Sequence, residues 1–271
     1  MIRIYVEGLG LQGDGLDGWD ASSAILAGRD DYRAAPVNIP AVTLLPANER
    51  RRMVKTVKLA LAVGVQAFAQ AGRDPKETAT VFASSGGDND TIHEILESLA
   101  APQIDVSPTR FHNSVHNAPS GYWSIATGSS APTSSLCMHD NSFAAGLLDA
   151  AAQAIVDKQP VGLIAYDLPY PEPLNAVRKI DSAFGIGLVI APTPSERAIA
   201  SVTLAIEALN DAPTAMSLAP LEAIRRGNPA ARSLPLLEAI ARRTDSRIVL
   251  DYLADRSLTL AIAPCLATAM P

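Results

Sequence analysis

The chain has 271 residues, a net charge of −6, 48% hydrophobic and 18% charged side chains, and only 5% aromatics. That is enough apolar material for one large core of small and aliphatic side chains, and no basic cluster interleaved with aromatics is present to bind nucleic acid. Cys137 and Cys265 have neither metal-ligand nor disulfide spacing, and no apolar run reaches the ~18 residues of a membrane helix, so the expectation is a cytoplasmic protein with no membrane span.

In chain order, residues 2–6 predict a short strand ended by Gly8 and Gly10, and the opening MIRIYVEGLG lacks the charged-then-apolar layout of a signal peptide. The glycine-rich loop to Trp19 lacks the offsets of a phosphate-binding turn and carries Asp14 and Asp17, which favours a structural loop. Residues 48–71 predict the longest helix, with Asn48 as N-cap and Ala71–Gly72 as the stop. Leu59, Leu61, Ala62, Val65 and Phe68 leave few polar gaps, so this helix is expected to be buried on several sides. Residues 78–84 predict a strand turned by Ser85–Gly86–Gly87. A short amphipathic helix follows over 91–99, and another begins within 107–115.

The most structured stretch runs over 117–157. It predicts a helix over 120–127, a turn at Gly128, an extended run over 133–138, a corner at His139–Asp140–Asn141 and a long apolar helix. A strand that turns abruptly into a buried helix is a frequent mount for an enzyme nucleophile, because the corner lifts one side chain and aims free helix N–H groups at it. Here the corner carries Asp and Asn, with no Ser or Cys at its apex.

Beyond it, residues 161–167 predict a buried strand, followed by a loop punctuated by Pro169, Pro171 and Pro173. Residues 185–190 and 199–207 predict a hairpin around PTPSER. A connection with a short helix spans 211–228, and an amphipathic helix spans 231–243 with Ser233 or a neighbour as cap. Residues 247–252 and 257–262 predict a final strand pair around Asp255–Arg256, and the tail CLATAMP carries no signal. The alternation implies βαβ units in a mixed sheet covered on both faces, with no clear linker.

Capping preference makes Asp140 the expected N-cap of the following helix, its carboxylate on the first N–H groups. His139 reads as a satisfied corner histidine or a weak charge partner of Asp140, and Cys137 as a small apolar strand residue. His112 and His116, four apart, would share one face of a helix, but a metal needs a third ligand, and Asn117 and Pro119 interrupt the helix; no metal or other cofactor is expected.

The segments IYVEGLG, RRM and above all TRFHNSVHNAPSGYWSIATGSSAPTSSLC resemble the N-terminal half of the β-ketoacyl synthases of fatty-acid and polyketide assembly. Asn117, Gly121, Ser124, Ile125, Gly128 and Pro132 match the family's helix and turn, with Ala131 in place of its second turn glycine. The resemblance implies a thiolase-like layered α-β-α fold, one ketosynthase-like domain over 1–271, of which 1–210 resembles the N-terminal half and 211–271 is a shortened remainder. Counted from Pro132, the family's nucleophilic cysteine falls on Asp140. Cys137 lies three strand steps earlier, ~10 Å away on the opposite face. Active members also need two histidines in the second half, whereas the histidines here are 93, 112, 116 and 139.

The resemblance therefore implies a chain that is not an enzyme by itself, with no catalytic residues: a subunit like the chain length factors that pair with an active ketosynthase in a heterodimer. Aryl-polyene biosynthesis is the first-choice pathway, and acyl carrier protein a further partner. By the same resemblance Phe111, His112 and Val115 lie at the two-fold interface near the acyl tunnel, and Ser134, Leu136 and Met138 belong to a strand that pairs across it. Ordinary packing beside Tyr122 and Trp123 is the alternative for the first three. Two other functions stand beside this reading: a thiolase-fold acyltransferase or acyl hydrolase using Cys137 or Asp140, and a scaffold for acyl carrier protein.

Overall fold

A computed structural model describes residues 1–265. The first third of the chain forms β1 (Ile2–Gly13), β2 (Leu16–Asp17), α1 (Trp19–Leu26), α2 (Ala47–Arg52), α3 (Lys55–Ala71), β3 (Ala79–Ala83) and α4 (Asn89–Ala100). The middle forms α5 (Pro108–Ser114), α6 (Ala118–Thr127), β4 (Thr133–Leu136), α7 (Ser142–Asp157), β5 (Val161–Asp167), α8 (Leu174–Val177) and β6 (Phe184–Ala191). The remainder forms β7 (Ala200–Ala208), α9 (Ala219–Gly227), α10 (Leu234–Arg242), β8 (Ser246–Leu253) and β9 (Arg256–Pro264).

Among the described residues all nine strands join one mixed sheet, ordered β4-β3-β5-β6-β1-β7-β9-β8, with β2 paired to β1. The β3–β4 and β3–β5 pairs are parallel, and the other pairs are antiparallel. One face packs on α3 and α6 around Val57, Phe68, Phe82, Trp123 and Tyr166. The other packs on α7, α1 and α10 around Leu11, Phe143, Leu163, Leu237 and Leu260. The expected sheet with helices on both faces is therefore present, and α7 lies over the parallel strands β3 and β5.

Four expectations are corrected. β1 does not stop at Gly8 and Gly10 but runs through both. A Cβ on Gly8 would stand 2.2 Å from Ala67 O, and one on Gly10 would stand 2.0 Å from Val63 O. These glycines let the α3 backbone lie directly on the strand, a close-approach role that a local turn reading mistakes for a break. Residues 48–71 form two helices, because Met53 and Val54 take extended backbone; Pro46 is the N-cap of the first, and Asn48 lies inside it.

β6 and β7 are not a hairpin. β1 inserts between them, its residues Ile2–Val6 pairing β7 and Tyr5–Gln12 pairing β6 across a bulge at Val6/Gly8. Two apolar runs joined by a turn signal pair directly only if no third strand competes for their edges, and β1 is long enough to serve both. Ser233 precedes α10 without a side-chain cap; its hydroxyl donates to Ala230 O at 2.8 Å. The final pair β8–β9 around Asp255–Arg256 forms as expected, while the tail beyond Cys265 lies outside the described residues. Among the described residues no helix is long and apolar enough to cross a membrane.

Candidate functional site

β4 ends at Leu136, and a single three-ten turn at His139–Asn141 leads into α7. His139 takes φ 50°, the left-handed region that a non-glycine residue enters only at a cost, so the chain reverses sharply there. The corner exists as expected, but the Asp140 cap does not. Asn141 is the N-cap position, without a side-chain cap bond. The Asp140 carboxylate turns instead to two guanidinium groups: Arg178 Nη2 lies 2.9 Å from Oδ1 and Arg232 Nη2 lies 3.3 Å from Oδ2. Charge-assisted bonds to two forks outweigh bonds to neutral amides. His139 Nδ1 lies 3.5 Å from Oδ1, so the weak charge-partner geometry is present. Ser142 braces the turn, its hydroxyl accepting from Met138 N–H at 2.9 Å and donating to His139 O at 2.7 Å.

Both arginines are held from behind. Arg178 donates its Nε to Tyr170 Oη at 3.2 Å and lies 5.7 Å from the centre of that ring. Arg232 donates through Nη1 to Asn141 Oδ1 at 2.8 Å and to Asp251 Oδ2 at 3.2 Å. The start of α7, the segment after α8, the turn before α10 and β8 are thereby fastened at one point.

A buried polar network continues beneath. Tyr170 Oη is 3.2 Å from Ser85 Oγ. Ser85 Oγ at 2.7 Å, Ser85 N–H at 2.8 Å and Ser84 Oγ at 3.1 Å all donate to Asp167 Oδ1. Asp167 closes the apolar strand β5 and is 3% exposed, and its Oδ2 has no partner among the described residues. Burial pushes its carboxyl up to about 6, with the serine hydrogen bonds pulling the other way.

The residues singled out in the sequence are brought together only in part. Cys137 is exposed, just past β4, rather than an apolar strand residue, and its thiol donates to Ser85 O at 3.2 Å. His116 Nε2 lies 3.1 Å from Ser84 O, so Cys137 and His116 flank the same Ser84–Ser85 turn. His112 packs edge-on against Tyr122, centroids 5.8 Å apart. α5 ends at Ser114, so the two histidines share no helical face. Phe111 and Val115 are exposed, at 65% and 44%. Ser134 donates to Asp149 Oδ2 at 3.3 Å, Leu136 packs at the margin of the core, and Met138 is half-buried in the turn. β4 is an edge strand of the sheet, bonded on one side to β3. Among the described residues no three His, Cys, Asp or Glu side chains are grouped to hold a metal ion.

Arg178, Arg232, Asp251 and the Ser84–Ser85–Asp167–Tyr170 network went unseen in the sequence. Asp167 carried a signal, since a carboxylate ending an otherwise apolar buried strand must find donors. Arg178 and Arg232 carried none; they lie 38 and 92 residues from Asp140, and local periodicity does not say which carboxylate a guanidinium group will meet. Chemically, a carboxylate bound by two guanidinium groups is a poor nucleophile, and what the corner offers is charge-assisted donors.

A family model described as the beta-ketoacyl synthase N-terminal domain matches residues 22–250. No curated protein matches the chain. Among solved structures, one similar chain comes from a ketosynthase in complex with its chain length factor from Xenorhabdus doucetiae, with 20% identity and TM-score 0.71, over 96% of this chain and 100% of that one. A type II polyketide acyl-carrier protein in complex with its ketosynthase bound to the hexaketide contains another, with 11% identity and TM-score 0.73, over 97% and 99%. The ishigamide ketosynthase/chain length factor contains a third, with 13% identity and TM-score 0.69, over 98% and 100%. At these identities the likeness establishes the thiolase-like ketosynthase fold.

Proposed function

The chain belongs to the family of the beta-ketoacyl synthase N-terminal domain, and from that footing we propose that it is a non-catalytic subunit of the chain-length-factor kind. In this reading it pairs with an active β-ketoacyl synthase in fatty-acid or polyketide-type chain elongation and shapes the acyl tunnel. The observation that carries the proposal is Asp140: where the family's cysteine would fall stands a carboxylate fixed by Arg178 and Arg232. The four histidines all lie at or before residue 139. A decarboxylative condensation needs a nucleophile and groups that hold the oxyanion, and in this reading the partner supplies them.

The contribution of this subunit is geometric. Edge strand β4, with Ser134 and Leu136 and with Met138 just beyond it, is offered for pairing across the interface. Phe111 and Val115, exposed on and just after α5, supply apolar bulk toward the partner's tunnel, with His112 beside them on Tyr122. Acyl carrier protein is the second partner, residues 1–271 act as one ketosynthase-like domain, and the cytoplasm is the place of work. The pathway assigned is aryl-polyene assembly.

Co-expression of the chain with candidate ketosynthases, followed by size-exclusion chromatography, tests the pairing. A stable one-to-one complex with an active ketosynthase supports the reading, and migration of the two proteins apart with every candidate contradicts it.

A further inference from the structure

A cavity of about 390 Å³ opens beside the corner, lined by Asp140, Val177, Arg178, Lys179, Arg226 and Arg232 among others. We propose that this cavity binds a phosphomonoester, and that Asp140 is its resident internal competitor. Its arginines are positioned by the protein yet retain donors. Arg178 spends Nε on Tyr170 and Nη2 on Asp140, and its Nη1 has no partner among the described residues. Arg232 is steered by Asn141 and Asp251 through Nη1, and its Nη2 bonds Asp140 alone. Arg226, an exposed residue of α9, makes no hydrogen bond or ion pair among the described residues.

Lys179 is paired with Asp181 at 2.6 Å, so the three guanidinium groups carry the site. Planar forks of this kind match the edges of a tetrahedral oxyanion two bonds at a time, and three of them lining one cavity, of which two meet the Asp140 carboxylate, favour a dianion over a monoanion. The cavity is several times larger than a bare phosphate, which leaves room for the organic part of an ester. Asp140 already occupies two of the forks with its own oxygens, which makes it the group an incoming phosphate displaces.

The test is isothermal titration of the full chain alone with phenyl phosphate, and with acetate as the monoanionic comparison, in a buffer free of other polyvalent anions. The proposal expects saturable one-to-one binding of phenyl phosphate, about tenfold tighter in Asp140→Asn, where the competing charge is gone but the acceptor oxygen is kept. It expects about tenfold weaker binding in Arg226→Ala, a change at an exposed and unpaired side chain that leaves the fold intact. No saturable heat up to about 10 mM in the wild type and Asp140→Asn overturns it. So does acetate binding as tightly as phenyl phosphate, or binding that Asp140→Asn weakens. If Asp140→Asn fails to fold by circular dichroism, Arg226→Ala decides: unchanged affinity overturns the site and the expected loss supports it. No ketosynthase is present, so the outcome is independent of the pairing proposed above.

Discussion

The contact between β1 and α3 holds one face of the sheet together, and Gly10→Ala tests it. The added Cβ would lie 2.0 Å from Val63 O, 2.9 Å from Val63 C and 3.0 Å from Ala67 N. All three are backbone atoms of α3, so no side chain can rotate aside. Restoring an ordinary carbon–oxygen separation of roughly 3.4 Å needs a helix displacement of ~1.4 Å. α3 buries Leu59, Leu61, Val63, Ala67 and Phe68, among others, against β1, β5 and β6, and that packing would loosen along its length. Overpacking against unyielding backbone belongs at the upper end of the usual cost, about 3 kcal/mol. For a chain of this size that corresponds to a fall of about 6–12 °C in Tm by calorimetry. Gly121→Ala is the counterpart: Gly121 sits in α6 with nothing within 4 Å of an added Cβ. There the same methyl group should stabilise by about 0.5–1 kcal/mol through helix propensity. A Gly10→Ala Tm equal to that of the wild type, or a Gly121→Ala loss as large as that of Gly10→Ala, would refute the close-approach argument.

Two further predictions concern buried charge. Glu7 is 1% exposed and receives Arg73 through Nε at 2.7 Å and Nη2 at 2.8 Å, with Ser195 as a third donor. Burial alone would raise its carboxyl, but the Arg73 and Ser195 bonds together hold it below the usual carboxylate range. Arg73→Met leaves that carboxylate buried with a single hydroxyl and should cost about 3–5 kcal/mol in urea unfolding, whereas Glu7→Met combined with Arg73→Met should recover most of the loss; equal losses in both would show that the pair is not what matters. Asp167 titrates in the opposite sense: raised in the fold to about 6, it binds a proton that the unfolded chain has already released, so its contribution to stability grows as pH falls from about 6 toward 4. Asp167→Asn should remove that part of the pH dependence, and identical stability-against-pH curves for the two proteins would contradict the burial argument.

The strands over 161–167 and 246–264 and the helix–turn–strand–corner over 117–157 were legible because each is a local pattern: an apolar run, a glycine stop or a period of 3.6. β1 was cut short because Gly8 and Gly10 serve a helix that arrives some fifty residues later, and local turn chemistry cannot see it. The false hairpin of β6 and β7 has the same origin, since the strand between them is the first in the chain. At the corner, position and backbone shape followed from counting along the motif. The fate of the Asp140 carboxylate did not, because Arg178 and Arg232 reach it only through the fold.

The central claim is that this subunit supplies shape and its partner supplies chemistry. Mass analysis of the acyl products formed by the chain alone, by a candidate ketosynthase alone and by the two together, with the same acyl carrier protein and extender, tests it most directly. The account predicts no elongated product from the chain alone, and from the pair a defined chain length that shortens with Phe111→Trp and lengthens with Phe111→Ala. Elongated product from the chain alone, or a product distribution from the pair that both Phe111 variants leave unchanged, would contradict it.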